Sequence, residues 1–95
     1  LSPYEKQIPG LLDNAAAHFY NKGMAAFNAN NFTEALVHFK KANSIIPKDH
    51  RPLYFIGMVY SRTGDMAKAR QVWTEALRYA PNDNILQNAL KGLGN

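Results

Sequence analysis

The chain has 95 residues, 46% of them hydrophobic, and carries a net charge of +4 with an isoelectric point near 9.5. It lacks cysteine, which excludes a disulfide framework and thiolate chemistry, and its short apolar stretches, such as Ile8 to Leu12 with Pro9 and Gly10 inside it, predict neither a membrane span nor a signal peptide. The length suits one small domain, the mild basic excess favours acidic partners without pointing to nucleic acid, and the cytosol and a bacterial periplasm are equally compatible.

In chain order, residues 1–13 form an N-terminal extension. Its start, Leu1, reads as the edge of a piece taken from something longer. Ser2-Pro3-Tyr4-Glu5 has the form of a helix start, with a serine cap, proline in the first turn and a glutamate to close a capping box; Pro9-Gly10 then interrupts it. A first helix is predicted from Asn14 to Asn28, rich in alanine and with Phe19, Tyr20 and Met24 on a helical period. Asn28-Ala29-Asn30-Asn31 is a turn. The second helix runs from Phe32 to Ile46, with Ala35, Leu36, Phe39, Ala42 and Ile46 on one face, and Pro47 stops it. Asp49 caps a third helix that continues to about Thr63, with Pro52 in its first turn. Gly64 ends it and Asp65 opens a fourth, which carries Ala69, Val72, Trp73, Ala76 and Leu77 inward and stops at Pro81. Asn82 or Asp83 caps a short fifth helix, ended by Gly92 and Gly94. No strand pattern competes, so the expected class is all-α.

Two stretches of this chain repeat each other at an offset of 34 residues. Gly23 recurs as Gly57, Ala35 as Ala69, Phe39 as Trp73, Ala42 as Ala76 and Pro47 as Pro81; Tyr20 recurs as Tyr54 and Met24 as Met58. Self-similarity at a fixed period marks an array whose units bury their apolar faces against one another. The unit is a helix–turn–helix, and it resembles the tetratricopeptide repeat. The second unit supplies the pattern almost fully with Leu53, Ile56, Gly57, Tyr60, Ala69, Trp73, Ala76 and Pro81. The first supplies Phe19, Gly23, Ala35, Phe39, Ala42 and Pro47 and departs at Lys22 and Ala26. The resemblance implies a right-handed α-solenoid of antiparallel helix pairs. Its domain would cover residues 14–95, with repeat one at 16–49, repeat two at 50–83 and a capping helix at 84–92. Lys91 stands where a small residue belongs, which reads the last helix as a cap. Gly23 and Gly57 are expected to let paired helices approach, faced by Ala35 and Ala69, and Phe39 and Trp73 to fill the space between successive units.

The resemblance further implies that the first helix of each unit lines a concave face. The inward positions would be Ala17, Tyr20, Met24, Phe27 and Asn28, then Arg51, Tyr54, Met58, Ser61 and Arg62, with Ile85 and Asn88 extending the row. The Tyr and Met pairs recur without being needed by the scaffold, and Arg51 and Arg62 can each grip a carboxylate through two nitrogens. The expected function is a protein–protein interaction module, a scaffold or adaptor, that binds a peptide or partner segment with apolar anchors and an acidic group. The partner-binding residues would be Tyr20, Met24, Phe27, Asn28, Arg51, Tyr54, Met58, Arg62 and Ile85. The competing reading of the Tyr and Met row is core packing.

The carboxylate clamp found in one class of the family is not matched, because its positions here hold Tyr20, Met24, Phe55, Ile85 and Ala89. His18, His38 and His50 are spaced too irregularly for zinc, no cofactor is expected, and no phosphate loop or serine elbow suggests an enzyme. Glu34 and Asp65 fit helix first turns. Lys40, Lys41, Lys48, Lys68, Arg70 and Arg78 read as a solvated convex face, which leaves nucleic-acid binding a minor alternative. The rival function is self-assembly through open repeat ends and residues 1–13.

Overall fold

The computed structural model describes residues 14–93, so the expected helix start at Ser2 to Glu5 and the role of Gly94 lie outside it. The described chain is five helices: α1 (Asn14–Asn28), α2 (Phe32–Ile45), α3 (His50–Arg62), α4 (Met66–Tyr79) and α5 (Asn84–Gly92). α1 packs on α2 and α3 on α4 as pairs, α2 joins the pairs by packing on α3, and α5 closes on α4.

The turn inside each pair has one geometry and two sequences. Asn31 donates its backbone N–H to the Ala26 carbonyl and Asp65 to the Tyr60 carbonyl, both at 2.8 Å. The residue before each donor is left-handed, Asn30 at φ 62° and Gly64 at φ 93°. This six-residue closure requires a positive φ, which glycine adopts freely and asparagine tolerates. The caps repeat as well. Asn31 and Asp65 cap α2 and α4, while Asp49 and Asp83 cap α3 and α5, a further identity at the offset of 34. Asp83 rather than Asn82 therefore starts the last helix: its Oδ1 accepts from the Leu86 N–H at 3.0 Å.

α2 ends one residue short of the expected Ile46, and α4 ends at Tyr79. Both following residues precede a proline, whose ring disfavours the helical region for its predecessor. Ile46 lies at φ −126°, ψ 84° and Ala80 at φ −142°, ψ 70°. α3 ends at Arg62, and Thr63 caps it by donating its hydroxyl to the Val59 carbonyl at 2.9 Å. Gly92 is the last residue of α5 instead of its terminator, and Leu93 is the cap.

Close helix approach rests on glycine against an aromatic ring, with Ala35 and Ala69 fully buried on the second helices. A Cβ on Gly23 would sit 2.8–2.9 Å from three ring atoms of Phe39. One on Gly57 would meet the Trp73 indole, at 2.5 Å from Cε2 and closer still to Nε1. The indole N–H donates to the Tyr54 carbonyl at 2.9 Å, which fixes the ring over α3. Phe39 does bridge the pairs as expected, but through a partner the repeat pattern did not mark. The ring of Phe55 stacks on it, centroids 5.2 Å apart and 13° from parallel. Phe55 also meets Tyr20 at 6.0 Å and Phe27 at 5.7 Å edge to face. Such pairs add about 0.5–1.5 kcal/mol each beyond their buried area.

Asp49 holds the start of α3. Its Oδ1 accepts from the Arg51 backbone N–H at 3.0 Å and from Arg51 Nε at 2.9 Å, and its Oδ2 from Nη2 at 2.7 Å. Burial by itself would raise the Asp49 pKa. The hydrogen bonds and charge of Arg51, with a smaller contribution from the charge of His50, outweigh burial and hold the carboxyl below the ordinary aspartate value.

Three outcomes follow from this packing. Phe55→Ala should lower unfolding stability by about 3–5 kcal/mol in urea titration. Gly57→Ala should destabilise on balance: the gain in helix propensity is about 1 kcal/mol, and the ring contact opposes it with about 1–3 kcal/mol. Asp49 has a depressed folded pKa, so its stabilisation is present above the unfolded value near pH 4 and is lost as pH falls through the folded one. Asp49→Asn, which keeps a competent cap, should be less stable than the parent at neutral pH, and the gap between their urea midpoints should narrow on acidification below about pH 4.

Candidate functional site

The expected concave row divides into a part that is spent on the core and a part that is open. Tyr20 is fully buried and Met24 and Tyr54 are nearly so. Tyr20 lies edge-on to Phe39 and Phe55, and Tyr54 stacks on Trp73 with centroids 6.1 Å apart. Phe27 is half-buried, in edge contact with Phe32 and Phe55. Recurrence of a tyrosine at a fixed offset therefore reflects packing between units at least as much as it does a ligand surface.

Arg51 is held fork to fork by Asp49, so its guanidinium serves the start of α3. Arg62 is exposed, with its guanidinium carbon 5.2 Å from the Phe27 ring centroid. The two arginines thus differ: one is part of a helix cap, the other a cation resting on an aromatic face. Asn28 is exposed at the end of α1.

Tyr54, Met58 and Ile85 come together with Ser61 and Asn88 around a cleft of about 440 Å³ between α3 and α5. Trp73, Ala89, Gly92 and Leu93 complete its lining. This is the size of a small-ligand or side-chain pocket. None of these lining residues is ionisable apart from the Tyr54 phenol. Burial raises the Tyr54 pKa, with Asp83 adding to the rise and Arg62 opposing it, so the group is a neutral hydroxyl at physiological pH. The cleft is therefore uncharged, with hydroxyl and amide groups beside its apolar side chains.

One polar contact ties the two walls together. His50 Nε2 lies 3.0 Å from Asp83 Oδ2, linking the first residue of α3 to the cap of α5. Since Asp83 Oδ1 already accepts from Leu86, a single carboxylate both starts α5 and aligns it on α3.

Trp73, Ala89, Gly92 and Leu93 were not expected at the site. The repeat frame contains the signal for Ala89: it lies 34 residues after Phe55, the ring that fills the preceding joint. The other histidines are structural by contact. His38 stacks on Phe19 and lies 3.5 Å from Glu34, and His18 meets Phe19 edge-on. Among the described residues no group of three or more His, Cys, Asp or Glu could hold a metal ion, and no helix is long and apolar enough to cross a membrane. The ammonium groups of Lys40 and Lys68 lie over the Tyr60 ring, 5.9 and 5.5 Å from its centroid, and that of Lys41 lies 5.9 Å from the Phe19 centroid.

Comparison with known proteins agrees with this geometry. A family model described as tetratricopeptide repeat matches residues 26–93, from the last turns of α1 to the cap of α5. Over 66 residues, 70% of the chain, the sequence is 35% identical to Superkiller protein 3 of Schizosaccharomyces pombe. The chain spans 5% of the length of that relative. The match begins inside α1, yet α1 meets α2 as α3 meets α4, with Gly23 under Phe39 and Gly57 under Trp73. With the 34-residue period, the paired helices, the shared turn geometry and the family match in agreement, the chain belongs to the tetratricopeptide repeat family.

Proposed function

We propose that this chain is a protein-interaction module that holds a peptide or partner-protein segment in the concave cleft between α3 and α5. Membership of the family suggests a non-catalytic module that binds proteins or peptides. The observation that carries the finer reading is the cleft itself, which gathers Tyr54, Met58 and Ile85 with Ser61 and Asn88. Met58 supplies an adaptable thioether wall, and the Ser61 and Asn88 side chains can satisfy backbone groups of an extended ligand. Arg62 on Phe27 lies outside the cleft lining and is the guanidinium available to an acidic group further along the segment. Arg51 is already committed to Asp49.

The test uses peptides selected on the immobilised chain from a random display library and then synthesised. Met58 is half-buried at the cleft, and Met58→Glu should weaken their binding at least tenfold, about 1.4 kcal/mol, while the helical circular dichroism is kept. Trp73, the single tryptophan, lines the cleft, so its emission should change on binding. Unchanged affinity in Met58→Glu would overturn the assignment. Light scattering at the same concentrations separates this function from self-assembly: binding of foreign peptide by a monomer is the expected result.

A further inference from the structure

The period of 34 residues allows one joint of the array to be read against the other. At the first joint, Phe55 of α3 faces the first pair, on the same helix as Tyr54 and Met58. At the second, the same repeat positions in α5 hold Asn88, Ala89 and Gly92. All three replacements are smaller or more polar, and all three line the cleft. The larger indole of Trp73 in place of the Phe39 ring takes up part of the vacated volume, and about 440 Å³ stays open.

Resting on the proposed function, we infer that the occupant of the cleft presents an uncharged aromatic side chain, phenylalanine in kind, into the space that Phe55 fills one joint earlier. The chain itself displays what fits there: a phenyl ring stacked on the aromatic of the preceding second helix, 5.2 Å between centroids, with further rings edge-on at 5.7–6.0 Å. At the second joint the bordering groups are the Tyr54 and Trp73 rings, the Met58 thioether and the Ile85 and Leu93 side chains. Such a lining favours an aromatic anchor, because ring–ring and sulfur–ring contacts add to the burial of apolar area. It disfavours a charged anchor, because no lining side chain would compensate the charge and desolvation would be uncompensated. Asn88 and Ser61 stand beside the apolar lining, where the backbone of the segment carrying the anchor would run.

The experiment measures Trp73 emission and calorimetric binding with peptides selected on the chain. Selected sequences should share an aromatic residue, and its replacement by alanine in the peptide should weaken binding about thirtyfold or more, with leucine falling between. In the protein, Ala89→Phe restores the side chain of the first joint. It should abolish peptide binding while leaving the urea midpoint equal to or above that of the parent, which separates filling of the cleft from loss of fold. Gly92→Met should block binding in the same way if Ala89→Phe does not fold. Peptides that lose affinity with Met58→Glu but bind without any aromatic residue would overturn the aromatic anchor and leave the proposed function standing. Peptides insensitive to Met58→Glu would overturn both. Full binding to Ala89→Phe in a folded protein would overturn the anchor by itself.

Discussion

The ring of Phe55 lies flat on Phe39 and meets the edges of Tyr20 and Phe27, and through these contacts the second helix pair is held to the first. A repeat protein has no global core. Each unit is stable to the degree that its neighbour covers it, so the contact between units is what makes an array of pairs one body. Phe55 supplies that contact from one position, nearly solvent-free. The groups around it are committed as a consequence. Tyr20 and Phe27 meet its edges, and Tyr20, which would otherwise be a surface tyrosine on a concave wall, becomes interior.

Within a pair, the constraint is a ring seated on a glycine. The aromatic of the second helix occupies the space where a Cβ on the first would stand, at Gly23 under Phe39 and at Gly57 under Trp73. This seat sets the distance between helix axes and fixes which face of the first helix is left over. The Trp73 hydrogen bond to the Tyr54 carbonyl locks the second seat further. The surface left over is the concave one, and its character depends on what the next helix brings to it. α3 brings Phe55 and closes the joint. α5 brings Asn88, Ala89 and Gly92, and a cleft remains. The scaffold and the candidate site are thus the same structural position, filled once and left open once.

Charge plays a supporting part. Arg51 and Asp49 neutralise each other at the start of α3, and His50 reaches Asp83 at the start of α5. Both pairs sit at helix N-termini, where carboxylates satisfy unbonded amides and meet the positive end of the helix dipole. They set the alignment of α3 and α5, and so the two walls of the cleft, while leaving its lining uncharged.

Much of this was legible in the chain. The period, the five helices, the caps at Asp49 and Asp65 and the family follow from local chemistry: helix propensity, proline and glycine as punctuation, and identity at a fixed offset. The pre-proline shortening of α2 is local too, and sequence reasoning missed it by a residue; for the last helix it left Asn82 and Asp83 open, and Asp83 is the cap. Three things were decided only in three dimensions. Which tyrosines and methionines remain open depends on Phe55, a residue outside the repeat pattern whose counterparts are Asn21 and Ala89. Which arginine stays available depends on the fork Asp49 offers to Arg51. Where the cleft opens depends on the size of side chains facing one another across helices that are distant in sequence. Periodicity specifies which residues share a face because that is a property of one helix. Whether the face is covered is a property of two helices, and the volume between them is fixed by packing and not by pattern.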